Sequence, residues 1–227
     1  MRIDPQLSSR GLFITGTDTD AGKTVASTAL VHALRRGGAR VVGMKPVASG
    51  CAQTPEGWRN ADALALQQAS DPRPDYLLVN PFALRDPTAP QLAARAAGVT
   101  VTLPPLREAY AALAAMADRV VVEGVGGWLA PLADGLDQSD LVKALDLPVI
   151  LVVGLKLGCL NHARLTARAI AADGGHLAGW IGSTVEPGFP DAYVDLVRAA
   201  LPVPCLGVLP HAPGADPAMM AGHLSAP

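Results

Sequence analysis

The stretch GTDTDAGKT, residues 16 to 24, follows the apolar run LFIT and constrains the fold more than any other part of the chain. A glycine-containing turn that leads from a strand into a helix beginning Gly-Lys-Thr is typical of phosphate sites, where backbone N–H groups surround the anion. The usual pattern, G-x-x-x-x-G-K-[ST], would need glycine at Thr17, but the glycine stands one residue earlier, at Gly16. An ordinary strand-to-helix turn with a lysine in the first helical turn is the alternative for this motif alone.

Short β-rich runs alternate with longer stretches rich in Ala and Leu. The predicted strands are 12–15, 40–44, 119–123, 148–153 and 177–182, and the predicted helices are 23–36, 160–173 and one near 88–97. The runs RVVVE and PVILVV are apolar on consecutive residues, as in strands that are buried on both faces. The sequence therefore predicts an α/β fold with a mostly parallel central sheet, these two strands in its interior, and helices on both faces.

The length of 227 residues and the apolar half of the composition predict one domain over residues 1–227. The proline-rich region 71–105 breaks the strand–helix rhythm and is predicted to lie outside the sheet. Residues 1–10 are predicted to be a loose end, and residues from about 212 to 227 a loose or surface-docked one.

Composition excludes several classes of partner. Eighteen Lys and Arg nearly balance twenty Asp and Glu, and no basic stretch is longer than Arg35–Arg36, so neither nucleic acid nor an anionic membrane is expected. The start MRIDPQLSSRG lacks the apolar run of a signal peptide, and LPVILVVGL is too short to span a bilayer, which predicts a cytoplasmic protein. Three widely spaced cysteines without a C-x-x-C predict free thiols.

Five stretches, in order, resemble the dethiobiotin synthetases, a family that uses this lengthened phosphate loop. They are GTDTDAGKTVAS, KPVASG, RNADALAL, VVEGVGGWLAPL and LPVILVVGLKLGCLNHARLT, and the match runs from about residue 11 to about residue 210. The resemblance implies a single-domain P-loop NTPase-like fold. It also implies the penultimate step of biotin biosynthesis, in which Mg²⁺ and ATP drive ring-closing carboxylation of 7,8-diaminopelargonate with CO₂ or bicarbonate. The implied intermediates are a carbamate and a carbamic-phosphoric anhydride, and the products are dethiobiotin, ADP and phosphate.

The resemblance also implies the site residues and a homodimer with substrate near the interface. The residues that bind the nucleoside triphosphate are Gly16, Asp18, Thr19, Asp20, Ala21, Gly22, Lys23, Thr24, Val25, Ser183 and Pro210. The residues that bind the substrate are Lys45, Ser49, Glu123, Gly126, Gly158, Cys159, Leu160 and Asn161. The catalytic residues are Lys23, Lys45, Thr19 and Ser49.

Three residues, Thr24, Asp62 and Glu123, are the predicted Mg²⁺ ligands, because Mg²⁺ prefers hard oxygens and few protein ligands. Asp62 follows the helix-capping residue Asn60. The alternative interpretation is therefore that its carboxylate lies in the first helical turn to interact with the helix dipole. Glu123 ends a buried strand, where an unpaired carboxylate would be costly without a nearby cation. Lys45 is the only charged residue at the end of its predicted strand. The alternative to a role in the site is an ordinary solvated lysine at a strand end.

The segment LGCLNHA (157–163) starts a predicted helix whose free N–H groups suit an anion. By resemblance these groups hold the substrate carboxylate across the dimer interface. A thiol nucleophile made of Cys159 and His162 finds no support elsewhere in the sequence.

The family pattern is broken at three positions. Ser183 stands where the family often has Asn, and one hydroxyl cannot offer the paired donor and acceptor of an amide to a base edge. We therefore expect relaxed base selectivity, with backbone near 207–210 holding the base. Asp20 replaces a Glu of the family and has a shorter reach, and Val125 replaces an Ala.

Two other functions compete with this interpretation. Another ATP-dependent ligase, such as the synthetase domain of cobyrinate amidation, would need a glutaminase partner. A partitioning ATPase typically carries an extra lysine where this chain has Asp18, and membrane-bound versions end in a basic amphipathic helix, whereas this tail is rich in proline. A pure binding module would not need Lys23, Lys45, Thr24 and Glu123 together.

Overall fold

The computed structural model describes residues 10–225. Its strands are β1 Gly11–Gly16, β2 Val41–Met44, β3 Val47–Ala48, β4 Ala52–Thr54, β5 Gly57–Arg59, β6 Phe82–Ala83, β7 Arg119–Gly127, β8 Pro131–Ala133, β9 Leu136–Asp137, β10 Val149–Leu155, β11 Leu177–Thr184 and β12 Cys205–Leu209. Its helices are α1 Lys23–Arg36, α2 Ala61–Ala69, α3 Tyr76–Val79, α4 Pro90–Ala97, α5 Leu103–Met116, α6 Gln138–Leu145, α7 Cys159–Ala172, α8 Ala192–Ala200 and α9 Pro217–Met220, followed by a 3-10 turn at Ala221–His223.

Six of the strands form one sheet in the order β12-β11-β10-β1-β7-β2. Every neighbouring pair in it is parallel. The five predicted strands are confirmed, and β7 and β10 lie in the interior, as their uninterrupted apolar runs predict. β12, an edge strand, was not predicted.

Alternate residues of β1 face opposite sides of the sheet, and each side is covered by helices. Phe13 belongs to the core that includes Leu106 of α5 and Leu141 of α6. Ile14 belongs to a second core that includes Leu30 of α1. The three-layer arrangement with helices on both faces is therefore confirmed.

Apart from a single antiparallel bridge between Asp71 and Val41 of β2, the region 71–105 lies outside the main sheet, as predicted. Its β6 pairs with the two-residue β3, and α4 confirms the helix expected near 88–97. α5 begins within this region, with Pro104 and Pro105 in its first turn. Proline is tolerated there because the first helical N–H groups need no intrahelical acceptor. None of the helices in residues 10–225 is long and apolar enough to cross a membrane.

The two ends of the chain have different outcomes. The loose end predicted for the first ten residues falls almost entirely outside the described part. The tail was predicted to be loose or surface-docked, and residues 217–224 take the second form: Met220 is buried in the core beside α1, Arg36 donates to the Ala218 carbonyl, and Leu224 pairs with Gly207.

Two adjacent methionines test this docking. Met220 is 4% exposed and Met219 is 72% exposed. Met220→Ala should lower the free energy of unfolding by about 2–3 kcal/mol because it removes buried apolar atoms and leaves a cavity. Met219→Ala should change it by less than about 0.5 kcal/mol. Urea unfolding measures both, and equal losses would show that the tail does not pack on α1 in solution.

Candidate active site

The loops that follow β1, β2 and β7 meet at the carboxyl edge of the sheet and enclose a cleft of about 400 Å³. Ligands of open parallel sheets bind at this edge. The residues that line the cleft are Thr19, Asp20, Gly22, Lys23, Thr24, Val25, Lys45, Ala48, Ser49, Asn60, Asp62, Glu123, Val125 and Gly126. Eleven of these fourteen are predicted site residues, and Ala48, Asn60 and Val125 are the additions. Most of the residues that line the cleft were therefore predicted from the sequence.

The phosphate loop ends in an open helix N-terminus. Gly22 caps α1 with a φ of 87°, no side chain caps the helix, and its first turn holds no acidic residue. The first backbone N–H groups and the positive end of the helix dipole therefore favour an anion. A Cβ on Gly22 would lie 2.1 Å from the Ser183 hydroxyl oxygen, so only glycine fits. Asp20 in the same loop adopts a φ of 56°, a left-handed conformation that Asp tolerates better than most residues.

Lys23 lies folded along this loop. Its side chain is buried, and its Nζ donates to the Asp18 carbonyl oxygen at 3.0 Å. Burial lowers the pKa of Lys23, and the positive charge of Lys45 lowers it further. An anion bound at the loop would favour the charged form of the amine.

Lys45 and Glu123 form a buried ion pair on the wall of the cleft. The Lys45 Nζ lies 2.7 Å from Glu123 Oε1 and 3.3 Å from Asp62 Oδ2, and it also donates to the Gly124 carbonyl at 3.0 Å. Burial alone would lower the pKa of Lys45, but the carboxylates of Glu123 and then Asp62 outweigh it, and the pKa is raised. Lys45 is therefore a fixed positive charge in a desolvated setting, and the alternative of a solvated lysine is wrong.

Glu123 has the properties of a cation ligand. Its Oε1 accepts from the Thr24 hydroxyl at 2.9 Å as well as from Lys45, while its buried Oε2 has no hydrogen-bond partner among residues 10–225. A buried carboxylate oxygen without a partner is costly and fits a divalent ion, which prefers hard oxygen ligands. Asp62 lies on the same wall, 41% exposed.

The described residues contain no group of three or more His, Cys, Asp or Glu that could hold a metal by itself. An ion here would therefore need the Thr24 hydroxyl and oxygens from a phosphate or water in addition to the two carboxylates. Such incomplete protein coordination is usual for Mg²⁺ bound with a nucleotide.

A wide bulge in β7 shapes the loop after Glu123. Ile14 pairs with Glu123 and Gly16 pairs with Gly127, so four residue steps of β7 oppose two of β1. The buried Gln138 secures the bulge: its Oε1 accepts from Val125 N at 2.6 Å, and its Nε2 donates to the Gly127 carbonyl at 2.8 Å and to the Thr15 hydroxyl at 3.1 Å. Sequence reasoning missed Gln138, because a glutamine in a first helical turn usually faces solvent.

Several predicted residues lie outside the cleft. Gly16, Asp18 and Ala21 form the body of the phosphate loop, while Gly158, Cys159, Leu160 and Asn161 form the start of α7. Lys156 lies 3.5 Å from Asp18 and joins these two loops. α7 has no side-chain cap and no acidic residue in its first turn, so it presents a second open helix N-terminus.

The three cysteines are free, as predicted. Cys159 is completely buried, and burial raises the pKa of its thiol. A buried thiol with a raised pKa is a poor nucleophile, which is a further argument against thiol catalysis.

A second cavity, of about 670 Å³, lies at the carboxyl ends of β11 and β12. Its lining residues are Thr184, Pro187, Gly188, Phe189, Pro190, Asp191, Val208, Pro210, His211 and His223. The predicted residue Pro210 is therefore on its wall. Ser183 is buried beneath Gly22 and does not line it.

Comparisons with known proteins agree with this geometry. A family model described as an AAA domain matches residues 10–218. The chain is 58% identical to the ATP-dependent dethiobiotin synthetase BioD of Xanthomonas euvesicatoria pv. vesicatoria. That alignment spans 217 residues and covers 95% of this chain and 97% of the relative. It is 55% identical to the protein of the same name from Xylella fastidiosa, in an alignment of 221 residues that covers 96% of this chain and 98% of that relative.

Two solved structures share the fold: the cell division protein FtsY from Thermotoga maritima and the signal recognition particle receptor FtsY from Elizabethkingia anophelis. The chain aligns over 97% of its length with 69% of the Thermotoga maritima protein, with a TM-score of 0.56 and 15% identity. It aligns over 95% of its length with 60% of the Elizabethkingia anophelis protein in complex with GDP, with a TM-score of 0.53 and 16% identity. At these identities the likeness concerns the α/β P-loop fold alone.

The two carboxylates around Lys45 should differ in their effect on stability. Glu123→Gln should lower the free energy of unfolding by about 3 kcal/mol, because it leaves a buried ammonium without its nearer partner. Asp62→Asn should cost less than about 1 kcal/mol, because that carboxylate is partly solvated. Urea unfolding without nucleotide or metal measures both values. Similar losses would contradict a central role for the Lys45–Glu123 pair.

Proposed function

Because the chain belongs to the family of ATP-dependent dethiobiotin synthetases, we propose that it closes the ureido ring of dethiobiotin from 7,8-diaminopelargonate, CO₂ and Mg-ATP. The observation that supports this best is the buried, charged Lys45 between Glu123 and Asp62, facing the same cleft as Lys23 and the open N-terminus of α1. Phosphoryl transfer to a small oxygen nucleophile develops negative charge that fixed cations and oriented N–H groups stabilise.

In this proposal the triphosphate lies on the phosphate loop, with contacts from the segment 16–25. Lys23 leaves the Asp18 carbonyl and neutralises the β- and γ-phosphates. The backbone N–H groups at the start of α1 donate to phosphate oxygens. Thr19 and Asp20, which line the cleft, lie towards the substrate side of the loop.

The chemistry then has three steps. One substrate amine adds to CO₂ and loses a proton to give a carbamate. A carbamate oxygen attacks the γ-phosphorus, and ADP leaves, which forms the carbamic-phosphoric anhydride. The second amine attacks the carbamate carbon and loses a proton, the C–O bond breaks, and phosphate leaves with that oxygen as the ring closes. Lys45 stabilises the carbamate and the transferring phosphoryl group, and Ser49 hydrogen-bonds the carbamate or the amine.

Mg²⁺ suits the oxygen donors Thr24, Asp62 and Glu123, and the buried Glu123 Oε2, which has no hydrogen-bond partner in the described part of the chain, supports this assignment. When bound, it would supply positive charge that offsets the β- and γ-phosphate oxygens. Glu123 thereby has two roles in the proposal: its Oε1 fixes Lys45, and its Oε2 is available to the ion.

The remaining predicted residues extend the proposal to a homodimer. Gly126 lines the cleft, whereas Gly158, Cys159, Leu160 and Asn161 lie outside it at the start of α7. We propose that this open helix N-terminus receives the substrate carboxylate at an interface between two copies of the chain. Leu157 is 77% exposed and Leu165 is 55% exposed on the same helix region, which suits burial by a partner.

Base selectivity should be weak. We propose that the base enters the cavity beside Pro210, where backbone of 207–210 holds it, while Ser183 lies buried beneath Gly22. ATP, CTP and GTP should then differ in kcat/KM by about tenfold, not by the roughly ten-thousandfold that a dedicated hydrogen-bonding pocket gives. Steady-state rates with the three nucleotides, for the native protein and Ser183→Ala, measure this. A strong preference for ATP that Ser183→Ala abolishes would contradict it.

The reaction itself is tested with purified protein, 7,8-diaminopelargonate, bicarbonate and Mg-ATP. Dethiobiotin, followed by mass spectrometry, and phosphate should form in equal amounts. Lys45→Ala should lower both by at least about a thousandfold, because it removes the charge that faces the transferred group. Lys143→Ala, which removes a half-exposed lysine of α6 that forms an ion pair with Asp140, is the matched control and should keep full activity.

Two results would contradict the proposal. Phosphate release that is indifferent to the diamine, without dethiobiotin, would assign the nucleotide site to a switch ATPase or another ligase. Full activity of Lys45→Ala would leave the reaction in place but remove Lys45 from it.

A further inference from the structure

A chain of buried side chains connects three predicted site residues that come from different segments. Asn80 Nδ2 donates to the carbonyl of Lys45 at 2.7 Å, and its Oδ1 accepts from the hydroxyl of Tyr76 at 3.0 Å. The same hydroxyl accepts from the backbone N–H of Asn60 at 2.8 Å. One amide and one phenol thus bridge the end of β2 to the start of α2.

Asn60 continues the chain of hydrogen bonds into the site. Its Oδ1 accepts from the N–H of Asp62 at 3.0 Å and caps α2, and its Nδ2 donates to the carbonyl of Ser49 at 3.3 Å. The Lys45 N–H donates to the Val79 carbonyl at 2.8 Å, which adds a second tie between β2 and α3. Lys45, Ser49 and Asp62 therefore depend on one network for their relative positions.

The network is desolvated. Tyr76, Asn80 and Asn60 are all buried, with Asn80 only 1% exposed, and the Arg59 guanidinium lies 4.2 Å from the centre of the Tyr76 ring. In such surroundings each hydrogen bond is strong, and each broken one leaves an unpaired polar group that water cannot readily reach. The network therefore favours one geometry of its elements over nearby alternatives.

We infer that Tyr76 and Asn80 are positioning residues that hold Asp62 on α2 within reach of the Lys45 ammonium at the end of β2. Glu123 holds Lys45 from the β7 side, while the Tyr76–Asn80 bridge holds α2 from the other side. The kinetic consequence rests on the proposed function, but the geometric one does not. Neither residue lines the cleft, so neither touches the reacting atoms.

The test substitutes Tyr76→Phe, which keeps the ring and removes the hydroxyl. Tyr110→Phe is the control, because Tyr110 is a partly buried tyrosine whose hydroxyl lies beside Gly11 at the opposite edge of the sheet. Tyr76→Phe should lower kcat for dethiobiotin roughly tenfold to a hundredfold, the scale of a misplaced catalytic group, with KM for ATP within about twofold. Tyr110→Phe should match the native protein in both constants.

Crystal structures of the same proteins supply a readout that needs no activity. In Tyr76→Phe the Lys45–Asp62 contact of 3.3 Å should lengthen, while the Lys45–Glu123 contact of 2.7 Å should persist. If the first variant does not fold, Asn80→Asp replaces it, since a carboxylate oxygen there would face the carbonyls of Lys45 and Phe82.

The outcomes separate the two claims. An unchanged Lys45–Asp62 contact in Tyr76→Phe would overturn the inference. If the native protein makes dethiobiotin, an unchanged kcat in Tyr76→Phe would overturn it as well. Parallel losses in Tyr110→Phe would also overturn it, because they would show a general loss of packing. A native protein that makes no dethiobiotin would refute the proposed function, and the crystal structures would still decide the positioning role.

Discussion

The buried pair of Lys45 and Glu123 is the interaction on which the rest of the site depends. Each charge alone would be expensive so deep in the protein, and together they form a neutral unit that still carries a strong local field. Thr24 joins it through the shared Oε1, and Asp62 joins it through the ammonium. The pair thus connects the phosphate loop, the end of β2 and the start of α2.

The parallel sheet explains why these groups meet. β1, β7 and β2 are adjacent, so their carboxyl ends deliver the phosphate loop, Glu123 and Lys45 to one edge. Two internal networks then fix the loops that the sheet leaves free. Gln138 holds the bulge after Glu123, and the Tyr76–Asn80 bridge holds α2. The resulting cleft pairs fixed charge with an open helix N-terminus, which is the combination that phosphoryl transfer requires.

Much of this site was predictable because its residues follow strands whose apolar runs are unmistakable. Glu123 and Lys45 each follow such a run. Gly22, Lys23 and Thr24 match the Gly-Lys-Thr end of the known phosphate-binding pattern. Tyr76, Asn80 and Gln138 were not predictable, since their roles depend on contacts between segments distant in the sequence, and their local sequence suggests ordinary helix ends. The choice between a loose and a docked tail stayed open for the same reason: Met220 becomes a core residue only beside α1.

The most direct test of the account follows an oxygen atom. The protein is mixed with the diamine, Mg-ATP and freshly dissolved C¹⁸O₂, and the reaction is quenched before the label exchanges with water. A carbamate that attacks the γ-phosphate keeps its oxygen on phosphorus when the ring closes, so each phosphate released should carry one ¹⁸O. Unlabelled phosphate beside labelled dethiobiotin would show that ATP does not activate the carbamate, and would contradict the role assigned to the cleft around Lys45.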